Sequence, residues 1–513
     1  MGARILSALS IPILVTILGV VGLLGGQFDN FANDPGVGWH IESGRYIYEN
    51  LSLPQYDPFL AGPKRTWVSD QWLSDLILYL AFKLGGWSAL YNIFAFIFVA
   101  TFFFLLMPAN FRLSGSWIGS SIGVLFAFKI SQIHFILRPV VFSFPFFAIT
   151  LLALLFWDRG KTSRAPWWLA FVFILWSNIH PSFVLGLGLV GIFVIAKSVD
   201  FIGLKNSQPP SFKGLLGAIR GPIFLLLVCL GATLINPYGL ELHRSILELG
   251  QSEFFMRLHE EWLSPNFKES AGKIFLLMLG LVFTPPFFGI QFRWGTFSSL
   301  LVIVFSCLAL KAVRFLPYTG IALSVAIAES VLLFGGLRIF SDNPLLLRLK
   351  NALQSLESRQ MFFPFIGITI LSGIIIVGTA QNRVMFYSGK FGLPQEKYPY
   401  SALSHLKSIL KANERVSVLA SPDWGGFITL EGQGSIKPII DDRNTLIGEK
   451  LYQDFLGAAS VSSRWLAFAD QVEADYFIIS ANSPVRCEVE RQNLKIEFED
   501  KNYILVKVGK ISE

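Results

Sequence analysis

Asp29-Asn30-Phe31-Ala32-Asn33-Asp34-Pro35-Gly36-Val37-Gly38-Trp39-His40 separates the first long apolar run of this chain from the rest. The stretch continues through Gly44-Arg45 and Asp57-Pro58 to Trp67-Val68-Ser69-Asp70-Gln71-Trp72. It reads as a long, acidic, aromatic-rich loop between membrane spans. The chain around it supports that reading, with a hydrophobic fraction of 53% and only 15% charged residues. A soluble protein carries about a quarter charged residues. Several apolar runs reach the ~20 residues that cross a bilayer.

About eleven spans are expected on that length criterion. They cover 4–26, 87–107, 114–130, 139–157, 165–178, 183–197, 221–235, 273–292, 295–311, 315–337 and 361–380. The first run exceeds a signal-peptide core and lacks a small-x-small cleavage site, so it reads as a retained span. Between 72 and 84, apolar residues fall at Leu73, Leu76, Ile77, Leu80 and Leu84. That is the stripe of a helix lying in the membrane interface. The breaks at Ile179-His180-Pro181 and Asn236-Pro237-Tyr238-Gly239 end spans, because proline removes a backbone donor.

Charge orients the chain. With Arg4 cytoplasmic, the basic loops holding Arg159, Lys161 and Arg164, then Lys205, Lys213 and Arg220, then Arg338, Lys350 and Arg359 all fall inside. The acidic loops, with Asp29, Asp34, Glu42 and Asp57 in one and Glu241, Glu253, Glu260 and Glu261 in the other, fall outside. This follows the positive-inside bias. The short basic turns at 129–138 and 311–314 run against it. The net charge of +7 therefore reflects orientation and implies no nucleic-acid partner. Cys229, Cys307 and Cys487 have no metal-ligand spacing.

After residue 380 the composition becomes soluble-like. Strands are expected at 416–420, 436–440, 476–480, 495–499 and 503–508, with helices at 401–412, 449–459 and 462–471. The predicted fold is thus a mainly α, polytopic transmembrane bundle over 1–382, with its first outer loop at 27–86. A small extracytoplasmic α/β domain follows over 383–513.

Polar groups at membrane depth are costly and usually face a cavity or a partner. Here they gather at the predicted outer ends of the spans: His134 and Arg138, Asn178 and His180, Asn236, Glu260 and Glu261, and Arg314. Asp34, His40 and Asp57 lie in the loop on that same side. A carboxylate there can serve as general base toward an acceptor hydroxyl, or hold a divalent metal such as Mg or Mn on a phosphate. Arginine suits phosphate or pyrophosphate because its fork matches the oxygens. These groups together describe transfer from a phosphate-linked lipid carrier.

Several longer pieces carry a resemblance: Asp34-Pro35-Gly36-Val37-Gly38-Trp39-His40, Pro54-Gln55-Tyr56-Asp57-Pro58-Phe59, Asn178-Ile179-His180-Pro181, Asn236-Pro237-Tyr238-Gly239, Glu261-Trp262-Leu263-Ser264-Pro265, Arg314-Phe315-Leu316-Pro317, Trp424-Gly425-Gly426 and Asp441-Asp442-Arg443. In this order the chain resembles the type C glycosyltransferases, integral membrane enzymes that use polyprenyl-phosphate-linked sugars. It looks closest to a bacterial subgroup within or beside that superfamily. The resemblance implies the first-loop acid Asp34 as the catalytic candidate and a polyprenyl-phosphate-linked donor; His40, in the same loop, is the second catalytic candidate. The acceptor is a glycan, lipid or protein at the outer face of the plasma membrane. Asp57, His134, Arg138, Asn178, His180, Asn236, Glu260, Glu261 and Arg314 are the expected substrate-binding set. The alternatives are a transporter or flippase for a lipid-linked glycan, and a non-enzymatic envelope scaffold whose outer domain binds a partner.

Overall fold

The computed structural model describes residues 11–23, 28–203, 212–285, 294–334, 364–384 and 389–508, with single positions near 344–351 and at 387. Lys205, Arg338, Lys350 and Arg359 lie outside the described residues, as do parts of four expected spans (4–26, 273–292, 315–337 and 361–380). The chain is mainly helical, with one small sheet near its C-terminus.

Among the described residues, five helical segments are long and apolar enough to cross a membrane: Trp72–Ser114, Pro139–Asp158, Phe183–Gly203, Lys213–Ala232 and Val313–Leu333. Shorter apolar helices include Ile11–Gly22, Leu169–Ile179, Ser270–Phe283, Thr296–Lys311 and Gly367–Ala380. Trp72–Val99 is interrupted at Gly85 and Gly86, where Gly86 takes φ 59°. Only glycine adopts that conformation cheaply. The amphipathic piece from Trp72 to Leu84 therefore turns away from the span that follows, in keeping with its interfacial stripe.

At the centre, the helix Leu316–Phe334 packs along Trp117–Ser131. Small residues repeat every fourth position on both: Gly119, Gly123 and Ala127 face Gly320, Ser324 and Ala328. A Cβ on Gly119 would strike the carbonyl of Ala328, and one on Gly123 that of Ser324. Such small-residue stripes let backbones touch where lipid supplies no hydrophobic drive for association. On the periphery, Phe224, Leu227 and Leu230 of Phe212–Ala232 are exposed apolar side chains, as a lipid-facing helix requires.

Polar clusters close the bundle at both ends. Arg138 stands just before the helix Ser143–Asp158, and Asp158 and Arg159 stand at its far end. At that far end Arg159 pairs with Glu329, and Lys197 pairs with Asp158.

The C-terminal strands are β1 (Val416–Leu419), β2 (Ile436–Pro438), β3 (Tyr476–Ser480), β4 (Ile496–Glu499) and β5 (Tyr503–Lys507), in the order β2-β1-β3-β5-β4. β1 runs parallel to β2 and β3, while β5 is antiparallel to β3 and β4. Alternating strands and helices near 416–480 account for the parallel half.

This domain is seated on the first loop. The Ala61 N–H donates to the Pro438 carbonyl at 2.9 Å, and Lys437 donates to the Pro58 carbonyl at 2.8 Å. The first loop itself holds the helix Val37–Asn50, which packs on Pro422–Gly432. A Cβ on Gly38 would run into the Gly426 carbonyl, and one on Gly426 into that of Pro35. The two backbones touch, which glycine alone permits.

Candidate functional site

Asp34 lies just before the helix Val37–Asn50 and is buried. Pro35 and Gly36 fold the chain back so that Asp34 Oδ1 accepts the Gly36 N–H at 2.9 Å, the local ring that Asp favours in turns. Asp34 Oδ2 pairs with Arg138 Nε at 2.7 Å. Arg138 Nη2 donates to Asp442 Oδ2 at 2.6 Å, and Asp442 Oδ1 accepts the Trp39 indole N–H at 2.8 Å. One guanidinium thus joins the first loop to the C-terminal domain. Burial pushes the Asp34 carboxyl above its ordinary range against the pull of Arg138, and Asp442 adds to the rise. A carboxylate raised in this way is a stronger base than a free one.

His40 sits one turn into the same helix, its ring centre 3.6 Å from that of Trp39 with the planes tilted by 31°. Its Nδ1 lies 2.6 Å from Asp75 Oδ1, and both side chains are buried. That bond leaves Nε2 as the ring nitrogen free for other work. Asp70, in the loop before Trp72, is raised to about 6, chiefly by burial, with Asp75 adding to the rise.

A second group stands beside the first. Arg314 pairs with Glu261 at 3.2 Å and lies 3.9 Å over the Trp262 ring. Burial opposes ionisation of Glu261, yet the charges of Arg314 and Arg138 hold its carboxyl below the usual range. His134 is buried with Nδ1 unpartnered, and burial lowers its imidazole to about 4. His134 is therefore neutral at physiological pH and can accept a hydrogen bond there.

The other expected site residues serve as ties. Asn178 accepts the Trp72 indole N–H at 2.9 Å and donates to the carbonyls of Ile174 and Ile235. Asn236 closes its own turn through the Thr233 carbonyl and the Tyr238 N–H. His180 bonds Ser182 through Nδ1 at 2.9 Å. Glu260 is exposed and stands outside the cluster. Asp57 accepts from Arg443 at 2.7 Å, and Arg443 also pairs with Asp441 at 2.6 Å. The Arg443 guanidinium lies 4.8 Å from the Trp67 ring centre and 5.3 Å from that of Trp39. Asp57 thus belongs to a lock between loop and tail.

Asn178 and Asn236 also border an apolar groove of about 400 Å³ with Trp72, Leu73, Ile174 and Ile235. It opens beside the amphipathic helix that carries Asp75.

Asp75, Asp442 and Trp39 join the site without having been singled out for it. Asp442 stands in the run Asp441-Asp442-Arg443, which enters the sequence reading as a piece of the resemblance and not as a partner of Asp34. The usable signal was the glycine pairs Gly36/Gly38 and Gly425/Gly426, which mark two backbones in close approach. Among the described residues no group of three or more His, Cys, Asp or Glu is placed to hold a metal ion. Asp34 is engaged by Arg138 and Gly36, so these residues do not fit a divalent cation. No family model matches the chain, and no curated protein matches its sequence.

Proposed function

We propose that this chain is a membrane glycosyltransferase that moves a sugar from a polyprenyl-phosphate carrier to an acceptor hydroxyl at the extracytoplasmic face of a bacterial plasma membrane. The observation that carries the reading is the buried Asp34 carboxylate held against Arg138 at one end of the bundle. The first-loop acid and a phosphate-matching fork are in direct contact.

In this reading Asp34 takes the proton of the acceptor hydroxyl. The acceptor oxygen bonds to the anomeric carbon as the bond from that carbon to the phosphate oxygen breaks. The electron pair leaves with the polyprenyl phosphate, and Arg138 balances the charge that develops there. Arg314 stands next in line for the same charge. Burial, which raises Asp34, favours the proton transfer.

The test uses the full chain in lipid nanodiscs with a panel of radiolabelled polyprenyl-phosphate sugars, reading labelled product and released carrier. Asp34→Asn should lower transfer by about 100-fold or more, the usual scale of a lost general base, while the chain still inserts and folds. Wild-type transfer by a folded Asp34→Asn variant would sink the reading. One observation favours a second reading as a lipid-linked glycan transporter: ion pairs close the bundle at both ends, Arg138–Asp34 at one and Arg159–Glu329 at the other. Movement of a carrier across liposomes with no transfer product would select it.

A further inference from the structure

Arg138 holds two carboxylates on one guanidinium, Asp34 at 2.7 Å and Asp442 at 2.6 Å. Two anions on one cation leave excess negative charge in a largely buried place. The hydrogen-bond partners of the Asp442 carboxylate are instructive. Oδ2 takes Arg138 Nη2, and Oδ1 takes the Trp39 indole N–H at 2.8 Å. Both partners belong to the membrane half of the chain, although Asp442 belongs to the C-terminal domain. The neighbours of Asp442 are fastened elsewhere, with Arg443 paired to both Asp441 and Asp57. The Asp442 side chain can therefore turn without unseating its domain. Its Oδ2 rests against Gly36, where a Cβ would stand 2.8 Å away. The Arg138 side chain as a whole remains 31% exposed, with its Nε buried against Asp34.

One arm of the Arg138 guanidinium and an indole N–H, converging on one pair of oxygens, form the donor set of an anion site. We propose that Asp442 is a resident stand-in for a phosphate: a phosphomonoester takes Arg138 Nη2 and Trp39 Nε1, and the Asp442 side chain turns out. Arg138 Nε stays on Asp34, so the incoming phosphate and the acid share one guanidinium. The proposal rests on the glycosyl-transfer reading only in naming the lipid carrier as the source of the phosphate.

The experiment measures binding by the full chain in nanodiscs, using farnesyl phosphate, inorganic phosphate and farnesol as probes. Asp442→Asn removes the competing charge and should tighten farnesyl phosphate by roughly tenfold, the scale of one charge-assisted contact. Farnesol should bind as it does to the wild type. A merely structural Asp442 predicts the opposite sign, weaker binding with earlier unfolding. A gain for farnesyl phosphate alone assigns a lipid source, and an equal gain for inorganic phosphate assigns a free phosphate. Both support the anion position, and no gain for either in a folded variant overturns it. Should Asp442→Asn fail to fold, Trp39→Phe decides, since loss of one donor should weaken farnesyl phosphate several-fold and unchanged affinity overturns the proposal. Sugar transfer is not read. Its absence elsewhere would leave this result standing, and failure here would leave the transfer reading intact.

Discussion

Replacing Arg443 with methionine should unseat the C-terminal domain from the first loop. The Arg443 side chain is only 4% exposed, and its partners Asp57 and Asp441 are 2% and 0% exposed. Methionine fills much of the volume but leaves two buried carboxylates without their shared ion-pair partner. Breaking a buried pair from one side costs about 3–5 kcal/mol, because the remaining charge keeps its desolvation penalty. Loss of the cation over Trp67 and Trp39 adds to this. Burial already raises the Asp441 carboxyl against the pull of Arg443. Without Arg443 the Asp441 carboxyl rises further above its unfolded value. A raised acid contributes stability at low pH and loses it as pH rises through the folded value. The deficit of Arg443→Met should therefore shrink as pH falls from the raised folded value toward about 4, the unfolded aspartate value, and stay constant below it. Pulse proteolysis across a urea series in nanodiscs reads the free energy of undocking. The triple variant Arg443→Met, Asp57→Asn, Asp441→Asn should recover most of the loss. A single-variant effect as small as that of the exposed Arg257–Glu253 pair would refute the reasoning.

Two further outcomes use the same assay. Gly38→Ala places a methyl group against the Gly426 carbonyl, and overpacking of backbone on backbone should cost about 1–3 kcal/mol or more; a neutral Gly38→Ala would mean the two helices are farther apart than described. Glu42 is raised to about 7 by burial, with Arg45 pulling it down and Glu49 pushing it up. Its stability contribution is thus full below its ordinary value of 4.5 and lost as pH rises through about 7. Glu42→Gln should flatten that slope, and an unchanged slope over this window would count against the burial of Glu42.

Much of the fold could be read from residue pattern because two strong periodicities carry it. All five expected strands form, each within two residues of the expected bounds, since 476–480 and 503–508 are apolar runs between turn residues. Apolar helices occupy most of the expected spans for the same reason. Helix Val37–Asn50 was hidden because Gly38, His40, Glu42 and Gly44 dilute its apolar stripe. Those residues face the C-terminal domain and Asp75, a polar and tightly fitted surface, so hydrophobic periodicity could not reveal them. Asp34 and Arg138 stood out as polar groups beside apolar runs. Asp442 did not, because it lies 304 positions from Arg138 and only the folded chain brings the pair together.

Two carboxylate–arginine–carboxylate triads meet at Trp39. Arg138 is held by Asp34 and Asp442, and Arg443 by Asp57 and Asp441. The indole N–H of Trp39 serves the first triad, and its ring face lies 5.3 Å from the guanidinium of the second. The adjacent residues Asp441, Asp442 and Arg443 contribute to both. Exposure separates their work. The Arg443 triad is sealed from solvent, so its electrostatic energy can be spent only on holding loop to tail. The Arg138 side chain keeps about a third of its surface open, so a ligand can exchange for one of its carboxylates. The closed triad positions Asp442 by fixing its neighbours on either side, and the open triad gives that position a use. Loss of Arg443 should therefore act first on stability, and loss of Asp442 first on anion binding. The tail is thereby a working part of the same polar cluster as the first loop, and no separate domain boundary divides their chemistry.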